Sequence, residues 1–219
     1  MPVSAYLQSA IFLFLAAVAL FASAGTVAIL GFWLYLAIVA AIVLASLVAL
    51  DPGLLRERMR PGGKRPPLGL RLFTIVMFLH WMLAGLDRGR FHWSDSVPAW
   101  LQGLGLLVVA GGYALCFWAM AVNRFFSSVV RIQAERGQYV IKSGPYAFVR
   151  HPGYLAGILI ILASGVALGS WLAAAMLVIF TLPFLLYRAI TEDRVLLAEL
   201  AGYGDYAESV PWRLLPGIW

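Results

Sequence analysis

The sequence predicts an all-α fold, a polytopic integral membrane bundle of five to six transmembrane helices that includes a C-terminal helical hairpin. Hydrophobic residues make up 63% of the 219 residues, and charged residues make up only 12%. A soluble domain is usually about 45–50% apolar and about 25% charged. The mean hydropathy is +0.89, and the apolar residues gather in runs near the roughly 20 residues that span a bilayer. A soluble globular domain is therefore excluded.

Six apolar runs follow one another along the chain, separated by glycine, proline or charged residues. The first four are the candidate spanning helices of the N-terminal half, at residues 6–23, 27–50, 72–86 and 97–122. The last two, residues 152–168 and 171–187, meet at Gly169-Ser170. Each would be about 25 Å long as a helix, at 1.5 Å per residue. This length is slightly short for a bilayer, so we expect a tight hairpin that does not need to cross completely.

Composition also divides the chain into two regions. Residues 1–122 hold the N-terminal transmembrane helices. Residues 123–219 hold a long polar segment, the hairpin at residues 152–187 and a polar C-terminal tail. We expect any binding chemistry to lie in this second region, because its polar groups stand where helices enter the bilayer.

Lysine and arginine are distributed very unevenly between the loops. With the spans as above, 14 of the 16 fall on one side of the membrane and only Arg88 and Arg90 on the other. Cytoplasmic loops carry the excess of positive charge. We therefore expect a multi-pass protein of the inner (cytoplasmic) membrane with both termini on the cytoplasmic side. The basic loop between residues 51 and 71 contains Arg56, Arg58, Arg60, Lys64, Arg65 and Arg71.

We interpret this basic loop as a determinant of topology and of lipid-headgroup contact rather than as a substrate site. The net charge of +6 is explained in the same way, so we expect membrane lipids as partners and no nucleic acid. Cys116 is the only cysteine, which excludes an intrachain disulfide and a cysteine metal cluster. His151 has no second histidine near it in the sequence, so we expect no metal.

The most unusual stretch is residues 143–154, which interrupts the apolar sequence with turn-forming and polar residues. Gly144-Pro145 predicts a turn, and Pro152 suits the first turn of a helix because its missing N–H costs nothing there. A hairpin brings its end back to its beginning. We therefore expect the polar residues before the hairpin to meet those after it, namely Tyr146, Arg150, His151 and Tyr154 with Arg188, Glu192 and Asp193.

Two interpretations of the second group remain open. Arg188 and Glu192 are four residues apart and share a helix face, so they could form a simple ion pair on a solvated helix end. Alternatively, they could line a composite pocket, because charge among helices at a membrane surface is costly without a function. The sequence has no Gly-x-Gly-x-x-Gly, Walker, Gly-x-Ser-x-Gly or His-Glu-x-x-His motif.

The combined motif resembles the isoprenylcysteine carboxyl methyltransferase family, which belongs with a wider group that includes phospholipid N-methyltransferases. The resemblance rests on Gly144-Pro145-Tyr146, Arg150-His151-Pro152-x-Tyr154, the apolar hairpin, and Arg188-x-x-x-Glu192-Asp193. The tail, from Gly202-Tyr203 to Pro216-Gly217-Ile218-Trp219, is similar to that of bacterial members.

The resemblance implies S-adenosylmethionine as cofactor and a set of residues that bind it. These are Gln138, Tyr139, Val140, Ile141, Tyr146, Arg150, His151, Pro152, Gly153, Tyr154 and Glu192. Arg188 and Glu192 are the implied catalytic residues, with Arg188 near the methyl acceptor. Some family members use a further polar residue upstream to bind the cofactor, and either Arg131 or Gln133 matches its position. Gln138 stands where many members have histidine, and Asp193 replaces the second glutamate of the usual pair.

The chemistry of these residues fits the implied cofactor. Arg150 or His151 can meet its carboxylate, Glu192 its ammonium, and the tyrosine rings its sulfonium. The implied acceptor is a lipid or amphipathic molecule from the bilayer, first of all a carboxylate at the cytoplasmic face. Two enzyme alternatives are a phospholipid-amine N-methyltransferase and an NADPH-dependent sterol-type reductase, whose families share an Arg-His-Pro-x-Tyr region. A non-catalytic lipid-binding scaffold is the third alternative.

Overall fold

The computed structural model describes residues 3–63 and 67–219, and within these ranges it is all-α, with no β-strand. Lys64 and Arg65 of the basic loop lie outside the described residues. The eight α-helices are α1 (Val3–Ala24), α2 (Leu30–Ala49), α3 (Pro52–Met59), α4 (Leu68–Leu86), α5 (Ala99–Val122), α6 (Pro152–Ala167), α7 (Trp171–Glu199) and α8 (Tyr203–Ser209). The predicted polytopic helical bundle is confirmed.

Five of these helices are long and apolar enough to cross a membrane, and α6 is a shorter apolar helix. The hairpin of α6 and α7 forms as expected, but α7 runs to Glu199 rather than ending at Tyr187. At 29 residues it is about 43 Å long, which exceeds the roughly 30 Å of a bilayer core. The apolar pattern marks where the membrane ends, whereas the helix continues beyond it.

The short helix α3 was not predicted, because the sequence was interpreted there as a basic loop. Asp51 caps it by accepting a hydrogen bond at 2.9 Å from the Leu54 N–H, and Pro52 occupies its first turn. Both features are standard signals for the start of a helix. Helix α3 lies at the same end of the bundle as the 123–151 segment, and it supplies part of the functional site.

Helix α6 packs against both α5 and α7, and α4 packs against α1 and α7. Glycine permits the closest of these contacts. A Cβ at Gly165 would lie 2.1 Å from the Ala174 nitrogen, and one at Gly112 would lie 2.8 Å from Ile160. Small residues at such crossings let helices approach closely where lipid removes the hydrophobic drive to associate.

A buried polar group ties the spans together inside the bundle. The His80 ring contacts the Ser164 hydroxyl at 2.8 Å and the Ala173 carbonyl at 3.0 Å. Tyr35 shares the same Ser164 hydroxyl at 2.8 Å. The polar side-chain atoms of His80, Ser164 and Tyr35 therefore all have hydrogen-bond partners, which is necessary because the bilayer core contains no water to replace them.

The end of the bundle far from the 123–151 segment has its own polar contacts. Arg90 donates to the Ser23 carbonyl at 2.6 Å, and Arg88 pairs with Asp95 at 2.9 Å. The hairpin turn is at this end, since a Cβ at Gly169 would lie 2.9 Å from Arg88. The two arginines that the sequence assigned to the opposite side are thus far from the beginning of α6 and the end of α7.

Candidate functional site

A cavity of about 320 Å³ lies where α5 and α7 end and α6 begins. Its size falls in the usual range for small-molecule sites, about 300–1,000 Å³. The wall includes all eleven positions that the sequence implied for cofactor binding, and it also includes Arg188. The hairpin therefore brings Arg188 and Glu192 to the same cavity as Tyr146, His151 and Tyr154.

The turn at Gly144–Ala147 places the Tyr146 ring in the wall. The Asn123 side-chain amide donates to the Tyr146 hydroxyl at 2.9 Å, and the Tyr206 hydroxyl donates to the Tyr146 carbonyl at 2.7 Å. Burial raises the pKa of the Tyr146 phenol well above its usual range. The ring is thus held as a neutral, oriented surface rather than as an acid or base at neutral pH.

Tyr154 links the two residues that the sequence singled out on α7. Its hydroxyl donates to Glu192 Oε2 at 2.7 Å and accepts from Arg188 Nε at 3.2 Å. Among the described residues, no oxygen of Glu192 lies within 4.0 Å of an Arg188 nitrogen as a salt bridge. The arrangement therefore differs from the simple i,i+4 ion pair that the sequence left open.

Asp193 is the centre of a buried charge cluster behind the cavity, and its side chain is only 1% exposed. Arg150 donates to both of its carboxylate oxygens, at 2.9 and 3.0 Å. His151 Nε2 lies at 3.0 Å, Arg213 Nε at 2.7 Å and the Tyr203 hydroxyl at 2.9 Å. A buried carboxylate needs this degree of compensation, so Asp193 joins the start of α6 to the C-terminal tail.

This cluster changes the expectation for Arg150 and His151 as partners of an anion. Arg150 Nη1 also donates to the carbonyls of Val210 and Pro211, at 3.0 and 2.9 Å. Burial lowers the pKa of Arg150, but its hydrogen bonds to Asp193 outweigh burial and raise the pKa above the ordinary value. Both residues line the cavity, yet each also hydrogen-bonds to Asp193 behind it.

The segment before the Gly-Pro-Tyr turn closes another side of the cavity. Of the two candidates that the sequence left open, Arg131 lines the cavity and Gln133 does not. Gln133 is buried, and its amide donates to the Phe125 carbonyl at 2.6 Å. Gln138 uses its side-chain oxygen to accept from the Gln133 N–H at 2.6 Å, so it also shapes this loop.

Arg131 anchors α3 to this segment. Its guanidinium donates to both oxygens of Glu57 at 3.0 Å, and it pairs with Glu135 at 2.8 Å. Burial raises the pKa of Glu57, but hydrogen bonds from Arg131, Gly62 and Ser127 outweigh it and leave the pKa below its ordinary value. Glu57 is therefore ionised at neutral pH, and the charge of Arg131 is neutralised.

Asn123, Phe126 and Arg58 are among the cavity residues that the sequence analysis did not assign to a site. Asn123 is the first polar residue after an apolar run, which could have marked it as an interfacial group. Phe126 carried no prediction, and Arg58 was interpreted as one of several arginines that determine topology and contact lipid headgroups. Only the fold of α3 against the 123–143 segment reveals that Arg58 faces the cavity.

Comparison with known proteins identifies this part of the chain. Residues 104–198 match the model of the isoprenylcysteine carboxyl methyltransferase (ICMT) family. Through this region, the chain is similar to that family, in agreement with the resemblance predicted from the motif. The matched residues include both hairpin helices, the Gly-Pro-Tyr turn and the Tyr154–Glu192–Arg188 group, whereas Arg58 lies outside the match.

A curated relative is similar over a longer stretch. The cobalt-zinc-cadmium resistance protein CzcN of Cupriavidus metallidurans is 30% identical over 141 residues. The alignment covers 63% of this chain and 59% of CzcN. The chain thus spans less than two thirds of the relative's length. The match to the family model agrees with the resemblance predicted from the motif.

Proposed function

We propose that the protein is an S-adenosylmethionine-dependent membrane methyltransferase that acts on a lipophilic acceptor, most directly a carboxylate, at the cytoplasmic membrane face. The observation that carries this proposal is that one cavity is lined by every position implied for the family's cofactor, together with Arg188. The match of residues 104–198 to the family model supports the reaction class.

The residues in the cavity fit the cofactor in charge and shape. Glu192 is the only carboxylate among the described lining residues, and it suits the cofactor's ammonium group. The faces of Tyr146 and Tyr154 suit a sulfonium or an adenine ring. The backbone at Val140 and Ile141 can accept and donate along the adenine edge. Asp193 lies behind the wall, and it holds His151 and Arg150 in place.

The cofactor, when bound, supplies an electrophilic methyl group. The acceptor carboxylate needs no general base, so the protein's part is to orient it and to keep water away. Arg188 is the orienting cation, and its guanidinium is itself positioned 6.0 Å over the Tyr154 ring and 5.8 Å over the Phe184 ring. Orientation and a dry site are the usual sources of rate in such displacements.

An apolar groove beside the cavity supports entry of the acceptor from the membrane. It has a volume of about 640 Å³ and lies between the start of α4 and the second half of α7. Leu70, Phe184 and Arg188 line both the groove and the cavity. A lipid tail in the groove would leave its polar head beside Arg188.

The test is incubation of the purified protein with methyl-labelled S-adenosylmethionine and a lipid extract of the host. We expect a labelled lipid whose methyl group is released as methanol by mild alkali, because a carboxyl methyl ester is labile. Label that survives alkali would support the phospholipid-amine alternative instead. Thermal stabilisation by NADPH, but not by S-adenosylhomocysteine, would favour the reductase and contradict the proposal.

The separate roles proposed for Arg188, which orients the acceptor, and for Glu192, which binds the cofactor, are tested with a variant of Arg188. Arg188→Ala should abolish turnover, because the acceptor loses its orienting cation, while S-adenosylhomocysteine affinity stays within about twofold of the wild type. Isothermal titration calorimetry and the labelled-methyl assay measure the two quantities. If cofactor affinity fell as far as turnover, Arg188 would belong to the cofactor site rather than to the acceptor.

A further inference from the structure

Four arginines line the cavity, namely Arg58, Arg131, Arg150 and Arg188. Two of them are neutralised by carboxylates: Arg131 by Glu57 and Glu135, and Arg150 by Asp193. Within residues 3–63 and 67–219, neither Arg58 nor Arg188 has a carboxylate within 4.0 Å. Among these residues, the cavity therefore contains two arginines without a direct carboxylate partner.

Arg58 reaches the cavity because α3 is fixed against the 123–143 segment. Glu57, its neighbour, is held by two hydrogen bonds from Arg131 and by the Ser127 hydroxyl at 3.0 Å. The Ser128 hydroxyl donates to the Arg58 carbonyl at 3.0 Å. These contacts hold the backbone at residue 58, and the guanidinium lies 5.0 Å over the Phe126 ring.

The pair of arginines is electrostatically unfavourable without a ligand. Burial lowers the pKa of the Arg58 guanidinium below its ordinary value, and the positive charge of Arg188 acts in the same direction. An arginine nevertheless remains protonated at neutral pH. Two like charges in a half-buried cavity repel each other, and an anion between them would relieve this repulsion and gain charge-assisted hydrogen bonds.

The remaining wall indicates what kind of anion fits. Leu70 and Phe73 of α4 and Phe184 of α7 line the same cavity, and Leu70 and Phe184 continue into the apolar groove. An anionic head next to an apolar chain matches this surface. A lipid ammonium head would instead meet two cations, since the carboxylate in this wall, Glu192, is assigned to the ammonium group of the cofactor.

We propose that Arg58 and Arg188 together hold the anionic group of the acceptor, and that Arg58 determines specificity for lipid acids over neutral or cationic lipids. This inference rests on the proposed function, since it assigns a role within the same site. It also revises the interpretation of residues 51–71 as a purely topological basic loop, at least for Arg58.

The test compares binding of N-acetyl-S-farnesylcysteine, a lipid acid, with binding of its neutral methyl ester to the purified protein. Arg58→Met removes the guanidinium but keeps an unbranched side chain about as long as the aliphatic part of arginine. Arg56→Met is the matched control, because Arg56 lies on the same helix but is exposed and lines neither cavity nor groove. S-adenosylhomocysteine affinity is measured for every variant.

We expect the wild type to bind the acid at least about tenfold more tightly than the ester, since the acid gains a charged hydrogen bond that the ester cannot make. Arg58→Met should lose about tenfold in acid affinity, with ester and S-adenosylhomocysteine affinities unchanged. Arg58→Lys should keep part of the preference, and Arg56→Met should match the wild type.

Three results would overturn the inference. The wild type could show no preference for the acid, or Arg58→Met could bind the acid as the wild type does. S-adenosylhomocysteine affinity could also fall as far as acid affinity, which would assign Arg58 to the cofactor's carboxylate. Failure of the proposed function is distinct from all three, because the wild type would then not bind S-adenosylhomocysteine at all.

Discussion

At the scale of single residues, the Tyr154 hydroxyl holds the reactive part of the site together. It donates to Glu192 and accepts from Arg188, so it orients a carboxylate and a cation that do not pair directly. This separation keeps both groups available to ligands of opposite charge. Asp193 has a complementary role, since it forms ion pairs with Arg150 and Arg213 behind the wall.

Tyr154→Phe removes this link and leaves the ring in place. We expect turnover to fall at least about tenfold, because Arg188 and Glu192 lose a shared hydrogen bond and their orientation. Thermal stability should change little. The labelled-methyl assay and a melting curve measure these effects, with Tyr6→Phe on the exposed surface of α1 as control. Wild-type turnover in Tyr154→Phe would contradict the role of the hydroxyl.

Asp193→Asn tests the buried cluster. The change leaves Arg150, His151 and Arg213 without their counter-charge, and breaking a buried pair on one side typically costs about 3–5 kcal/mol. We expect a large loss of unfolding free energy in mixed micelles and weaker S-adenosylhomocysteine binding. Asp205→Asn, on the exposed face of α8, is the control. Equal stability of the two variants would show that the cluster does not hold the tail to α6.

At the scale of helices, the crossing of α5 and α6 depends on Gly112. A Cβ there would lie 2.8 Å from Ile160 Cγ1 and 3.1 Å from the Ala156 carbonyl, whereas a Cβ at Gly111 would meet nothing within 4 Å. Adjacent glycines on one helix thus have opposite surroundings. Gly112 faces α6, and Gly111 faces outward.

Gly112→Ala should therefore destabilise the protein by about 1–3 kcal/mol through overpacking. Gly111→Ala should be neutral or slightly stabilising, since alanine favours a helix by about 0.5–1 kcal/mol over glycine. Melting temperatures in the same detergent compare the two variants directly. If both variants had the same melting temperature, Gly112 would not be the residue that sets the spacing between α5 and α6.

The sequence predicts long apolar helices well, because a spanning helix must be apolar along its whole length. It predicts their polar continuations poorly, as the extension of α7 to Glu199 and the short helix α3 illustrate. The motif at residues 143–154 correctly indicated which side chains surround one cavity. Arg58 and the choice between Arg131 and Gln133 could not be predicted, since both depend on how α3 packs against a distant loop.

At the scale of the whole molecule, the bundle is polarised along its axis. The cavity, α3, α8 and the C-terminal tail gather at one end, and the contacts of Arg88 and Arg90 are at the other. The distribution of positive charge predicts that the cavity end is cytoplasmic. The proposed activity requires this orientation, because its methyl donor, S-adenosylmethionine, is supplied from the cytoplasm.

The orientation is tested with single cysteines in a Cys116→Ser background, which removes the only native thiol. Trp93→Cys and Lys142→Cys both replace exposed residues, at opposite ends of the bundle. In intact cells, a membrane-impermeant maleimide should label Trp93→Cys and spare Lys142→Cys until the membrane is opened. The reverse pattern would place the cavity outside the cytoplasm.

The most direct test of the cofactor site is titration of the purified protein with S-adenosylhomocysteine in a calorimeter, with Glu192→Ala beside it. We predict one saturable site in the wild type, and an affinity at least about tenfold lower in Glu192→Ala, because the ligand's ammonium group loses its carboxylate. NADPH should give no heat of binding. A folded wild-type protein that bound no S-adenosylhomocysteine would contradict the assignment of this cavity.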